Sequence, residues 1–195
     1  MAEFGLRRAQ DVSGLSSTRG SFVGGADASS NCWAETNYDI PTIGTMAHAF
    51  VMVHETEMDA YLSWAKHNPH LGVFLPDTYE PVSGMKKIIE ACERTGVKLQ
   101  GFRQDSGDLG YLAAEGKRLA KDAGFDLTKN AVSNDLDSSV IASLEAADGT
   151  AINMYAVGTK LATCAERPAL GGVYKVGNVY ENGLTHSEIQ AMKQA

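Results

Sequence analysis

An α/β fold built on a parallel sheet is predicted by three features of this chain. Stretches rich in Ala, Lys, Glu and Leu alternate with short apolar, β-branched runs of strand length. Each strand-like run opens into a polar cluster, as strands do when they turn into helices. The 195 residues, 44% of them hydrophobic and 21% charged, suffice for a single domain with a substantial core.

In order along the chain, the strand-like runs are residues 41–43, 72–75, 98–102, 130–133 and 152–157, five in all. Helical patterns cover 45–66, 82–95, 107–124 and 136–146. Gly96 and Gly124 stand where helices end in a left-handed residue.

Charge and composition exclude several classes of function. A formal net charge of -7 argues against sequence-independent nucleic-acid binding, which needs a basic surface, but leaves room for a small phosphate in a local basic pocket. No apolar run approaches the roughly 20 residues that span a membrane, and the start lacks the basic-then-apolar order of a secretion signal. A cytoplasmic location without membrane partners is therefore expected. Cys32, Cys92 and Cys164 are widely separated and in no metal-ligand spacing, so reduced, buried thiols are expected.

The polar clusters are Gly44-Thr45, Asp77-Thr78-Tyr79, Arg103 to Asp108, Ser133-Asn134-Asp135 and Gly158-Thr159-Lys160. In a parallel sheet all carboxyl ends point one way, so these clusters converge on one rim, where barrel enzymes hold their sites. Each has a plainer explanation in turns and helix caps, but five together make a site the better one.

Two clusters carry the most chemistry. The turn 44–48 places His48, able to exchange a proton or phosphoryl group near neutral pH, on a helix's first turn beside free N–H groups. Arg103 and Asp105 lie on one side of an extended segment, a guanidinium for a phosphate or carboxylate beside an acid for ribose hydroxyls or a developing cation. A strand-end ion pair, with Asp108 capping the next helix, is the alternative. Gly158-Thr159 offers N–H groups and a hydroxyl to a phosphate, without the spacing of a P-loop. Residues 24–31 form a further turn toward a helix, with Asp27 or Ser29 as cap or ligand. His54, His67 and His70 do not fall into a zinc pattern, and spacing supports no Ser-His-Asp or Cys-His set, so no protein metal site is expected.

Taken in order, Glu3-Phe4-Gly5-Leu6-Arg7-Arg8-Ala9-Gln10, Gly44-Thr45-Met46-Ala47-His48, Asp77-Thr78-Tyr79, Asp105-Ser106-Gly107-Asp108-Leu109, Ser133-Asn134-Asp135-Leu136-Asp137 and Val157-Gly158-Thr159-Lys160-Leu161 closely resemble the nicotinate phosphoribosyltransferase family. Pro168 to Lys175 is similar to it as well, and the match runs from about Phe4 to about Lys175. The resemblance implies an incomplete or irregular TIM-like (β/α) barrel of the type II phosphoribosyltransferase kind over 1–176, with a divergent tail at 177–195. It implies formation of nicotinate mononucleotide and pyrophosphate from nicotinate and phosphoribosyl pyrophosphate in NAD biosynthesis. ATP hydrolysis is coupled to the reaction, Mg2+ is carried by substrate phosphates, and the site forms within a homodimer.

On the same resemblance, His48 matches the histidine that ATP phosphorylates, and Phe4 the aromatic that stacks on the pyridine ring. Arg7 matches a phosphate-binding arginine, Thr45 a neighbour of nicotinate, and Arg103 and Asp105 neighbours of base and ribose. Asp77, Asp27, Ser133 and Asn134 join the substrate-binding set, and Gly158 and Thr159 hold the ribose 5-phosphate. The chain departs from the pattern in lacking the family's amino-terminal domain and carboxyl-terminal continuation. Gln104 also replaces a usual aliphatic residue, and Ala28 a common glycine. An active enzyme completed by another chain or segment and a non-catalytic fragment that keeps the phosphate site are the two readings. Nicotinamide is a lesser rival substrate.

Overall fold

The computed structural model describes residues 1–147, 151–165, 180–181 and 184–185. Six short parallel strands form one sheet: β1 (Ala2–Glu3), β2 (Ala28–Ser29), β3 (Val73–Phe74), β4 (Gly101–Gln104), β5 (Ala131–Val132) and β6 (Met154–Val157). Between them run α1 (Ser13–Val23), α2 (Cys32–Tyr38), α3 (His48–Met52), α4 (Glu57–His67), α5 (Pro81–Thr95), α6 (Leu109–Asp122) and α7 (Ser138–Ala146), and α8 (Thr159–Ala162) follows β6. A separate antiparallel pair, β7 (Tyr180–Glu181) and β8 (Leu184–Thr185), lies in the tail. The motif at 168–175 and the boundary at 176 fall outside the described residues.

The strand order, β2-β1-β6-β5-β4-β3, is the chain order read around a ring. At the β2 edge, Thr42 adds a parallel bridge to Ser29, so the segment 41–43 continues the wall. Among the described residues, the junction of that ring without backbone pairing is the one between 41–43 and β3. This is an incomplete barrel wall, as the sequence predicts, with one open seam.

Particular elements differ from expectation. Residues 41–43 make a bridge rather than a strand: Ser29 N–H donates to the Pro41 carbonyl and Ile43 N–H to that of Ser29, while proline brings no N–H of its own. Strands β1 and β2 were not anticipated, because Ala-Glu and Ala-Ser have low strand propensity and their pairing is set by neighbours distant in sequence. The expected helix 45–66 is two helices. Thr56 starts the second by accepting the Asp59 N–H (3.2 Å) and donating to its carboxylate (2.6 Å), a reciprocal cap that stops α3 from running on. Gly96 (φ 72°) and Gly124 (φ 82°) do adopt the left-handed conformation just beyond α5 and α6.

Tyr61, Phe74, Met85, Ile88, Leu99 and Phe102 anchor the larger core, where α4, α5 and α6 meet β3 and β4. A smaller cluster, with Val132, Leu136 and Val157, lies under α7. Burial pushes the Cys92 thiol up to about 12, an inert core group. Cys32 and Cys164 are exposed instead, contrary to the expectation of buried thiols.

Along β4, alternation sends Gly101 and Arg103 to one face and Phe102 and Gln104 to the other, where both approach Gly116 of α6. Gln104 is fully buried there, and neither its Oε1 nor its Nε2 has a partner. An amide left so costs about 1–3 kcal/mol. Gln104→Leu, of similar size, is therefore expected to raise unfolding free energy by about that amount in a urea titration, with the slope unchanged.

Candidate functional site

The carboxyl ends of the strands open on one cleft of ≈ 710 Å³. Phe4, Arg7 and Arg8 come from the turn after β1, Ser30 from the end of β2, and His48 from the start of α3. Arg103 and Asp105 enter from β4, Ser133, Asn134 and Asp135 from β5, and Gly158 and Thr159 from β6. Parallel strand direction accounts for the convergence.

Asp77, wholly buried at the end of β3, organises one wall. Its Oδ2 accepts the Asp105 N–H (2.8 Å) and the Ser106 hydroxyl (2.7 Å), which fixes the loop after β4. Its Oδ1 is buried without a hydrogen-bond partner and lies 3.9 Å from His48 Nε2. Asp105 Oδ2 lies 3.4 Å from the same nitrogen, and Ser133 donates to Asp105 Oδ1. On the other side of the ring, His48 Nδ1 is 3.1 Å from Thr78 Oγ1. His48 thus stands across the open seam, its Nε2 between two carboxylates and its Nδ1 on a hydroxyl. Two acids on one side favour a proton on Nε2, which leaves the lone pair at Nδ1.

Arginines line the same cleft. Arg103 makes no ion pair among the described residues, and its Nε is buried without an acceptor. Burial lowers its pKa, against the opposing pull of Asp105 and Asp77, and Arg7 adds to the lowering. A buried guanidinium whose Nε lacks an acceptor has donor capacity free for an anionic group. The alternative of a strand-end ion pair between Arg103 and Asp105 does not occur, whereas Asp108 does cap α6 through the Tyr111 N–H (3.0 Å). Gly5 is required in the turn that presents Arg7: a Cβ there would meet Ala162 Cβ at 2.5 Å and the Gly158 carbonyl at 2.7 Å.

Of the residues singled out from the sequence, Phe4, Arg7, His48, Arg103, Asp105, Ser133, Asn134, Gly158 and Thr159 all line this cleft. Asp77 stands behind His48. Thr45 is half-buried on the segment leading to His48, outside the lining. Asp27 is not brought to the cleft. It precedes β2 at the strand's amino end, exposed, with its carboxylate 2.5 Å from the Met1 amino group. The cap of α2 is Asn31, which accepts the Trp33 N–H (3.2 Å), while Ser29 turns inward. Thr78 and Asp135 belong to clusters read from the sequence but were given no role of their own, and Arg8 and Ser30 join the lining without having been singled out. The doubled arginine of Arg7-Arg8 was the available signal for one of them; Ser30 follows a strand too short to recognise. Among the described residues no group of three or more His, Cys, Asp or Glu is placed to hold a metal, and no helix is long and apolar enough to cross a membrane.

Comparison with known proteins agrees with this geometry. Nicotinate phosphoribosyltransferase of Bacillus subtilis is 39% identical over 93% of this chain, and that of Dictyostelium discoideum 34% over 90%. This chain belongs to the nicotinate phosphoribosyltransferase family. No family model matches it. The crystal structure of human nicotinic acid phosphoribosyltransferase aligns with 93% of the chain at a TM-score of 0.68 and 26% identity. Nicotinate-nucleotide pyrophosphorylase from Pyrococcus furiosus shares the fold, with a TM-score of 0.71 and 22% identity over 83% of the chain. The chain spans 37% and 38% of the two curated family members and 46% of the human structure.

The unpaired guanidinium of Arg103 gives a direct test of the cleft. Arg103→Met is expected to weaken binding of inorganic pyrophosphate roughly ten- to a hundredfold, the worth of a hydrogen bond to a charged group. Its melting temperature is expected to change little, since no hydrogen bond or ion pair of Arg103 among the described residues is lost. Titration calorimetry at low salt, with a thermal melt on the same sample, checks both.

Proposed function

We propose that this chain carries the catalytic face of a nicotinate phosphoribosyltransferase. The nicotinate ring nitrogen attacks C1′ of phosphoribosyl pyrophosphate. The C1′–N bond forms as the C1′–O bond breaks, and pyrophosphate departs with the bonding pair. The observation that carries this reading is one cleft in which Arg103, without an ion pair among the described residues, and Asp105 face the same space. Such a site takes a polyanionic leaving group and also steadies positive charge growing on a sugar.

On this reading the other residues of the cleft take the following parts. Phe4 stacks on the pyridine ring, and Arg7 and Arg103 hold anionic groups of the substrates. Asp105, oriented by Ser133 and by the Asp77 clamp on its N–H, stabilises oxocarbenium character at C1′. Gly158 N–H and the Thr159 hydroxyl, at the start of α8, hold the ribose 5-phosphate, and Asn134 closes that side. Mg2+ travels on substrate phosphate oxygens.

ATP coupling centres on His48. With the Nε2 proton held by Asp105 and Asp77, Nδ1 is the nucleophilic nitrogen, and an Nδ1–P bond forms as the γ-phosphoryl group leaves ADP. The phosphohistidine then places negative charge beside the cleft and improves retention of the substrates. A second subunit, or a segment beyond this chain, completes the site in an active homodimer. The short span relative to family members favours one further reading: a piece that binds the anions without turnover.

Incubating the purified chain with nicotinate, phosphoribosyl pyrophosphate, magnesium and ATP separates the two. Nicotinate mononucleotide detected by mass spectrometry is the expected result, and pyrophosphate binding without product would leave the binding reading standing. His48→Ala is expected to keep some transfer while losing its response to ATP, and an unchanged response would remove the role given to that residue. Competition between nicotinate and nicotinamide in the same assay fixes the base.

A further inference from the structure

The proposed chemistry makes no use of Glu3, yet it is one of the most constrained groups in the molecule. Its side chain is wholly buried on β1, with no cationic group in ion-pair range among the described residues. It faces donors alone. Gly5 N–H donates to Oε1, and the Ser29 hydroxyl donates to Oε2 at 2.6 Å. Thr18 Oγ1, 2.9 Å from Oε2, shares its proton between that oxygen and the Gly14 carbonyl. Ser29 in turn accepts the Asn31 N–H (3.0 Å), and Asn31 Nδ2 donates to Thr18 Oγ1 (3.3 Å). Thr18, Ser29 and Asn31 are each at most 2% exposed.

A buried carboxylate without a counter-cation is expensive, and hydrogen bonds from several donors offset that cost. Those bonds land on two places that matter to the cleft. Gly5 begins the 3₁₀ turn Leu6–Arg8 that presents Phe4, Arg7 and Arg8, and Ser29 precedes Ser30 in the opposite lip. The turn also rests on α1 and α8, but the side chains of Leu6, Arg7 and Arg8 are exposed, so buried polar contacts to it centre on Glu3.

We propose that Glu3 is a positioning residue for anion binding, setting the Phe4–Arg8 turn through Gly5 and the β2 lip through Ser29. This rests on the reading that the cleft takes anionic substrates through Arg7 and its neighbours. The charge matters because Ser29 and Thr18 both aim hydroxyl protons at Oε2. A neutral glutamine places an N–H2 there, so both hydroxyls must turn away, or places it against the Gly5 N–H, and the charge-assisted bonds are lost either way. The turn then shifts, and the guanidinium groups lose their register.

The test is a double-mutant cycle with inorganic pyrophosphate as the probe, read by titration calorimetry. Glu3→Gln is expected to weaken binding about tenfold, the worth of one buried charge-assisted contact. In an Arg7→Ala/Arg8→Ala background it is expected to have no further effect, because a positioning residue acts only through what it positions. The Gly5 amide proton resonance should move upfield in Glu3→Gln, while amides of β3 to β5 stay in place. Unchanged binding by a folded Glu3→Gln, or an equal loss in both backgrounds, overturns the proposal. If the arginine double variant binds pyrophosphate like the parent, the reading of the cleft fails instead, and the Gly5 resonance alone decides for or against Glu3. Should Glu3→Gln not fold, Ser29→Ala enters the same cycle with the same criteria.

Discussion

A strand of two residues holds the sheet in one piece. Strand β1 pairs through Ala2 and Glu3 with β2 on one side and with β6 on the other, and the bonds from Ser30 N–H to the Glu3 carbonyl and from Phe4 N–H to the Val157 carbonyl extend both ladders. Without it the wall divides into β2 with 41–43 and the run from β6 to β3. The arginine turn, the β2 lip and the start of α8 all take their positions from that junction. So short a ladder cannot hold by backbone bonds alone. Its side chains finish the work, with Ala2 packed away and Glu3 gathering donors from α1, β2 and the turn.

How much was legible in the sequence follows from this. Where helices carried strong amphipathic patterns with caps, as in α5 and α6, the sequence and the structure agree closely, down to the left-handed Gly96 and Gly124. The convergence of Arg103, Asp105, Ser133 and Gly158 was legible too, because strand direction alone places carboxyl ends together. Strands β1 and β2 were not, since Ala-Glu and Ala-Ser say nothing of partners more than 150 residues apart, such as Ala2 and Ala156. The break between α3 and α4, made by the cap of Thr56 and Asp59, fell inside the single helix read over 45–66. Asp27 was drawn toward the site by the motif around it, whereas its end of β2 faces the other way.

The electrostatics of the cleft invert those of the chain. A molecule of formal net charge -7 keeps Arg7, Arg8 and Arg103 around one opening without ion pairs among the described residues, and sets two of the acids there, Asp77 and Asp105, on His48. Segregation of this kind costs folding free energy and is retained where a ligand supplies the missing charge. The hydrogen bonds of Asp77 show how the separation is kept, since they spend one carboxylate oxygen on the Asp105 backbone and leave the other to the imidazole.

The docking of Gly5 against Gly158 and Ala162 has a consequence for how the molecule comes into being. The turn bearing Phe4, Arg7 and Arg8 is seated by residues about 150 positions later in the sequence. Contacts of such sequence separation close late, after the local helix pairs have formed. Until β6 pairs with β1, that turn lacks its seat and both strands keep an unfilled edge, the condition in which aggregation and chaperone capture compete with folding. The cleft thus depends on the contacts that span most of the chain.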